Sequence, residues 1–264
     1  MSPAGVTPER SGLPPLDDRL VSLLPTRSGE VEPYLTVRNA LEEVQRLSGV
    51  SVVAVSSAAG GDGKTTTAIN VAGVLGHGGR VLLVDADLRN PDLARHLLLR
   101  GETPGLVDAV MDPSVALADV VVPLPQLGVD VLPAGRPADS PYDVIRSPRF
   151  AALLEEARGR YTSIILDTPP MIRVPEGRVL ERAVDGVLLV VAANRTPRRL
   201  VAEALRQIDP AKLVGLVFNG DTERRLPYDD GASGTRRTRS GALDRIVDAL
   251  QRLTGGDGGT TRRP

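Results

Sequence analysis

From Ser51 onward, short unbroken runs of Val, Leu and Ile alternate with longer stretches whose apolar residues recur at three- and four-residue steps. The runs are VVAVS (52–56), VLLVD (81–85), VDVLP (129–133), SIILD (163–167), GVLLVV (186–191) and LVGLVF (213–218). Continuous apolar runs of this length mark strands buried on both faces, and their alternation with helical stretches marks an α/β fold: a mostly parallel, doubly wound sheet. Six strands are predicted. Helices are predicted over residues 64–75, 92–99, 148–158, 175–183 and 197–207, with a last amphipathic one over 242–253. Another is expected over 32–47, where Leu35, Leu41, Val44 and Leu47 follow a mixed three- and four-residue spacing. In such a sheet, ligands bind outside the carboxyl ends of the strands, so the residues just after each run are the candidates for chemistry.

The two ends of the chain read differently. Residues 1–30 scatter five prolines among Ser, Gly and charges, a mixture that blocks helices and offers little to bury. This is read as a mostly disordered arm, whose one apolar piece, residues 20–25, either docks on the body or forms a short turn. The body spans residues 31–220. Residues 221–239 carry five Arg against four acidic residues among Gly, Ser and Pro, the make-up of a solvated loop; the helix and a flexible tail fill residues 240–264.

Composition narrows the possible partners. The 264 residues are 41% hydrophobic but only 2% aromatic, so the core is aliphatic and a multi-ring surface for stacking nucleic-acid bases is not expected. Lys plus Arg (32) nearly cancels Asp plus Glu (33), leaving no overall field toward DNA or an anionic membrane. The absence of cysteine removes disulfides, thiolate metal sites and cysteine nucleophiles. The longest apolar run, Val187 to Ala193, has seven residues, against the roughly 20 of a spanning helix. The N-terminus lacks the basic start and apolar stretch of a signal peptide, so a cytoplasmic protein is expected.

After the first run comes SSAAGGDGKTTTAINVA, with Gly60, Gly61, Asp62, Gly63, Lys64, Thr65 and Thr66 at the start of a helix. Successive N–H groups of a glycine-rich turn point into one concavity, and the helix N-terminus adds partial positive charge, so a polyphosphate is held largely by main chain. Lys64 would reach the β- and γ-oxygens and the Thr65 hydroxyl would ligate Mg²⁺. The pattern G-x-x-x-x-G-K-[ST] fails at its first position, where Ala58 stands. Scarcity restores the signal: Lys64 and Lys212 are the only lysines, and about 0.2 Gly-Lys pairs are expected by chance. An ordinary Gly-rich turn is the competing explanation.

Three aspartates end apolar runs. Asp85 and Asp87 close VLLVDAD, and Asp167 closes SIILD. Mg²⁺ bound to a nucleotide keeps several waters, which carboxylates hold, and either Asp85 or Asp87 could orient or deprotonate an attacking hydroxyl. The alternative is that each caps a following helix. Asn219 ends the last run, where its amide could read the edge of adenine or simply begin a turn before Gly220. Arg89 either contacts phosphate or caps the Asn90-Pro91 turn. His77 and His96 fall in helical stretches away from these residues, and surface or interface roles are expected for them rather than catalysis.

SSAAGGDGKTTTAINVA, VLLVDADLRNP, VLPAGRPADSPYDVI, SIILDTPPM, AVDGVLLVV and VGLVFN occur in the order found in bacterial tyrosine kinases, and residues 32–220 resemble that family. The resemblance implies the deviant Walker A P-loop ATPase fold shared with MinD and ParA proteins, and a role in capsule and exopolysaccharide assembly. It places Lys64 and Thr65 in Walker A, Asp85 and Asp87 in Walker A′, and Asp167 in Walker B, with ATP and Mg²⁺ as cofactors. The segment EPYLTVR is similar to the family's oligomerisation motif E-x-x-R-x-x-R: Glu32 and Arg38 match, and Leu35 replaces the middle arginine.

Other departures bear on function. Position 59 is Ala rather than the signature lysine of MinD and ParA proteins, and Tyr228 is the one tyrosine after Tyr161, whereas family kinases end in a tyrosine cluster. The family's membrane-spanning half is absent from this sequence, which implies a separate membrane-anchored chain-length partner that recruits the protein to the inner face of the membrane. Three functions follow: an Mg-ATP-dependent tyrosine kinase acting on polysaccharide polymerisation or export, a non-kinase ATP-driven assembly module favoured by the missing tyrosine cluster, and a MinD/ParA-like positioning ATPase opposed by Ala59. An iron-sulfur carrier of the Mrp type would need cysteine.

Overall fold

The computed structural model describes residue 20 and residues 30–99, 103–172 and 174–220. The chain enters through helix α1 (Glu32–Ser48) and strand β1 (Val52–Ser57), then α2 (Lys64–Gly76), β2 (Val81–Asp85), α3 (Leu93–His96), α4 (Leu106–Met111) and α5 (Leu117–Val120). It continues with β3 (Val122–Leu124), β4 (Val129–Leu132), α6 (Pro141–Arg146), α7 (Pro148–Arg158) and β5 (Ser163–Asp167). Last come α8 (Glu176–Ala183), β6 (Gly186–Ala192), α9 (Arg198–Gln207) and β7 (Leu213–Asn219).

The strands form one sheet in the order β3-β4-β2-β5-β1-β6-β7, parallel except for β3 against β4. Each central strand feeds two cores. In β1, Val52 and Ala54 join the layer containing Phe150, Leu153 and Leu205, while Val53 and Val55 join the layer containing Leu41, Ile69 and Leu75. This two-faced burial is why the strands read as unbroken apolar runs rather than alternating ones. The chain leaves β1 toward β2 on one side, and leaves β5 across β1 toward β6 on the other. That reversal opens a crevice at the carboxyl end of β1.

All six predicted strands are present, and the sheet has a seventh. The addition, β3, is three residues long and pairs antiparallel with β4 at the sheet edge. It carries Pro123, which cannot donate to a ladder and is tolerated only at such an edge, and the proline in so short a strand hid it from an apolar-run criterion. Helices α4, α5 and α6 were not predicted; each has six residues or fewer. The helix expected over 92–99 shrinks to the single turn of α3. His96 in that turn is buried, which corrects the surface half of its expected surface or interface role, and lies 3.3 Å from Asp92.

Helix α1 ends at Gly49, whose left-handed φ of 68° lets its N–H return to Gln45. Leu20 is buried in the layer with Leu41 and Leu83, so the arm touches the body at that residue. The expected arm (otherwise), the loop over 221–239, the helix over 242–253 and Tyr228 lie outside the described residues. Among the described residues, no helix is long and apolar enough to cross a membrane.

At the opposite end of the sheet from the crevice, Asp185 gathers backbone and side-chain donors, the Ser51 hydroxyl at 3.3 Å among them. Its Oδ2 accepts the Ser51 and Val52 N–H groups at 2.9 and 2.8 Å, and Arg158 grips both oxygens at 2.6 and 2.7 Å. Although burial opposes it, these bonds hold the Asp185 carboxyl down at about 2. Asp185→Ala is therefore expected to cost about 2 kcal/mol in urea unfolding, and the wild-type contribution should be present at neutral pH and lost as pH falls through about 2. An unchanged urea midpoint would remove Asp185 from the account of what fastens β1, β6 and α7.

Candidate functional site

The turn between β1 and α2 sits in the crevice. Gly61 and Gly63 adopt φ of 80° and 91°, conformations that favour glycine, and a Cβ on Gly63 would run into the Asn219 amide. Gly60 and Gly61 are exposed, Gly63, Lys64 and Thr66 half-buried, and Asp62 and Thr65 buried. Helix α2 begins at Lys64 with no side-chain cap, so its first N–H groups remain directed into the crevice, as an anion site requires.

Lys64 does not project into solvent. Its Nζ lies 2.8 Å from Asp87 Oδ2. Burial alone would lower the Lys64 pKa, but the charges of Asp167, Asp87 and Asp85 outweigh it and raise the value above that of an ordinary lysine. The structure thus brings together Lys64, Asp85, Asp87 and Asp167 from three segments that are far apart in sequence. Asp85 and Asp167 are direct cross-strand partners in the β2–β5 register, which places two carboxylates side by side.

Asp85, Asp87 and Asp167 are each 2% exposed or less. Burial first, then the neighbouring Asp167 charge, pushes the Asp85 carboxyl up to about 8; burial pushes Asp167 up to about 7 against the pull of Lys64. Asp85 Oδ1 and both Asp167 oxygens lie buried without a hydrogen-bond partner. Buried carboxylate oxygens left in this state carry a desolvation cost that a hard cation would relieve. Among the described residues, however, no three acidic or histidine side chains converge closely enough to hold an ion by themselves. The donor set thus fits Mg²⁺ supplied with a polyphosphate and water, with the Thr65 hydroxyl, rather than an ion caged by protein.

The capping alternative is realised in part: Asp85 Oδ2 accepts the Leu93 N–H that opens α3, at 3.2 Å. Arg89 does not cap the turn. It pairs with the buried Glu176 at 2.8 Å, and the Asn90 turn is closed instead by Asp87, whose Oδ1 accepts the Asn90 N–H. Arg38, in the segment similar to an oligomerisation motif, pairs with Glu42 at 2.7 Å.

On the far side of the turn, Asn219 donates from Nδ2 to the Asp62 carbonyl at 2.9 Å. One of its two amide N–H groups is thereby engaged, which leaves the other and the oxygen able to face a base. Arg195 and Thr196, which drew no notice in the sequence, also contact the turn: Arg195 donates to the Gly61 carbonyl and Thr196 to Asp62. Nothing in their local sequence marks them, because the contact depends on where β6 ends beside β1. A cavity of about 570 Å³ opens beside Asp85, walled by Pro91, Pro104, Pro133 and Arg136 among others.

A model of the AAA domain family matches residues 50–210. Tyrosine-protein kinase YwqD of Bacillus subtilis is 31% identical over 204 residues, covering 76% of this chain and 85% of YwqD. The succinoglycan biosynthesis transport protein ExoP of Rhizobium meliloti is 30% identical over 219 residues, covering 81% of this chain but 28% of ExoP. Among solved structures, the VpsO kinase domain superposes with a TM-score of 0.62 at 32% identity, covering 72% of this chain and 97% of that domain.

The raised carboxyls imply a pH dependence. The folded chain holds protons on Asp85 and Asp167 that the unfolded chain releases near pH 4, so the stability of the nucleotide-free protein should fall as pH rises from about 4 through about 8. Asp167→Asn is expected to raise the urea midpoint at about pH 8 and to flatten this slope. Stability that climbs with pH over the same window would contradict the burial of these carboxylates.

Proposed function

The chain belongs to the bacterial tyrosine-protein kinase family of P-loop ATPases, and from that premise we propose that it binds Mg-ATP in the crevice after β1 and transfers the γ-phosphoryl group to a tyrosine hydroxyl on another protein. The observation that carries this reading is Lys64, held at the head of α2 against a buried carboxylate in the company of two more. In the nucleotide-free chain Asp87 takes the Lys64 charge, in the place a phosphate oxygen would occupy. On binding, Lys64 exchanges Asp87 for the β- and γ-oxygens, while the N–H groups of residues 60–65 cradle the phosphates.

Thr65, with Asp85 and Asp167 acting through water, would hold Mg²⁺, which when bound supplies charge neutralisation at the phosphoryl oxygens. The acceptor hydroxyl enters from the cavity beside Asp85. Its oxygen forms the new bond to the γ-phosphorus as the bond to the β,γ-bridging oxygen breaks, ADP departs, and the hydroxyl proton passes to the carboxylate of Asp87, freed from Lys64, or of Asp85. Asn219 Oδ1 accepts from the exocyclic amine of adenine, favouring ATP over GTP, which carries an acceptor at that position.

The names of relatives point to the setting. ExoP is named for succinoglycan biosynthesis and transport, which supports a role in polysaccharide polymerisation or export. We assign the chain a membrane-anchored chain-length protein as partner, through which it is recruited to the cytoplasmic face, and a homo-oligomer built through the α1 segment. A second reading has a specific observation in its favour. Residues 162–264 contain one tyrosine, Tyr228, so a chain that hydrolyses ATP to drive assembly without phosphorylating a tyrosine cluster also fits.

The two readings part in one assay: purified chain with γ-labelled ATP and Mg²⁺, with and without the cytoplasmic segment of a chain-length protein, scored separately for phosphotyrosine and free phosphate. Kinase function predicts phosphotyrosine; free phosphate alone selects the assembly ATPase. Lys64→Ala should reduce either output by at least about 100-fold, and undiminished turnover would overturn the site.

A further inference from the structure

The phosphate loop is hydrogen-bonded from outside by the turn that leaves β6. Asn194 adopts φ 58°, a conformation asparagine tolerates better than most residues, and the chain then delivers Arg195 and Thr196 to the loop. Thr196 Oγ1 accepts the Ala192 N–H at 3.1 Å and donates to Asp62 Oδ1 at 2.8 Å. A hydroxyl has one proton, and with Oγ1 fixed by Ala192 that proton is committed to Asp62. The other Asp62 oxygen accepts the Ala59 N–H at 3.2 Å, and the Asp62 carbonyl accepts Asn219. Asn219 returns to the same turn, its carbonyl accepting the Ala193 N–H at 2.8 Å. The exits of β1, β6 and β7 therefore meet at one residue that is 2% exposed.

A carboxylate inside a phosphate loop repels the ligand at long range, so its value there is geometric. We propose that Thr196 is a positioning residue of the nucleotide site: acting through Asp62, it holds residues 59–63 in the shape whose N–H groups converge on phosphate. The inference rests on the nucleotide reading above. It assigns Thr196 no contact with ATP.

The test compares Thr196→Val, which keeps the shape and removes the hydroxyl, with Thr196→Ser, which restores it. Hydrogen exchange at Ala59 in the nucleotide-free chain should be about tenfold faster in Thr196→Val and within about twofold of wild type in Thr196→Ser. Exchange in β2 and β5, unchanged throughout, reports an intact fold. Mg-ADP affinity, measured by titration, should fall about tenfold in Thr196→Val and recover in Thr196→Ser. Wild-type exchange and affinity in Thr196→Val would overturn the proposal, as would a Thr196→Ser variant as impaired as Thr196→Val. A wild-type chain that binds no Mg-ADP would instead refute the nucleotide reading, and exchange at Ala59 would still decide whether Thr196 shapes the loop.

Discussion

Three carboxylates buried around one ammonium set the terms for the rest of the molecule. Asp85, Asp87 and Asp167 stand at or just beyond the ends of adjacent strands, and their charges together raise the pKa of Lys64. Such a cluster destabilises a fold unless something else secures it, because each ionised oxygen loses water and two of the carboxylates are strand neighbours. The securing element is the sheet beneath: β2 and β5 are buried along nearly their whole length, with aliphatic layers on both faces. The acidic cluster is tolerated at the end of these strands because their other residues are among the best buried in the chain.

The two flanks of the phosphate loop divide the work. Toward β5 and β2 lie the carboxylates, with unpartnered oxygens and upward-shifted pKa values. Toward β6 and β7 lie a hydroxyl, an amide and the Arg195 guanidinium, each hydrogen-bonded to the loop. One flank is electrostatically unfinished and suited to a cation and phosphate; the other is complete and suited to holding the loop's shape. The division follows from topology, since β1 sits between β5 and β6 and its exit loop must touch the ends of both.

Much of this was legible in the sequence, for a physical reason. Strands buried on both faces leave unbroken apolar runs, and a loop built for phosphate leaves glycines and a lysine, so Lys64, Asp85, Asp87 and Asp167 could be named from their positions after such runs. Pairings across the sheet left no such mark. Arg89 was assigned to phosphate or to a turn because its partner, Glu176, lies 87 residues away. Thr196 and Arg195 look like ordinary turn residues until β6 is set beside β1. Strand β3 was hidden by its proline and its position at an edge. What sequence patterns record is burial and local backbone demand; what they omit is the identity of a distant hydrogen-bond partner.

The Lys64–Asp87 pair also bears on how the site distinguishes empty from loaded. In the nucleotide site proposed above, a triphosphate displaces Asp87 from Lys64, and a freed, buried Asp87 is unfavourable unless another cation or a proton replaces the lysine. Nucleotide alone therefore meets resistance that nucleotide with magnesium does not, because the ion offers the carboxylates the compensation that Lys64 withdraws. On the proposed reading the same exchange frees Asp87, two residues along the chain from the Asp85 that lines the 570 Å³ cavity, only when phosphate is in place. For the proposed kinase, a base made available by the arrival of its own phosphoryl donor is a direct way to keep an acceptor hydroxyl idle until there is something to transfer.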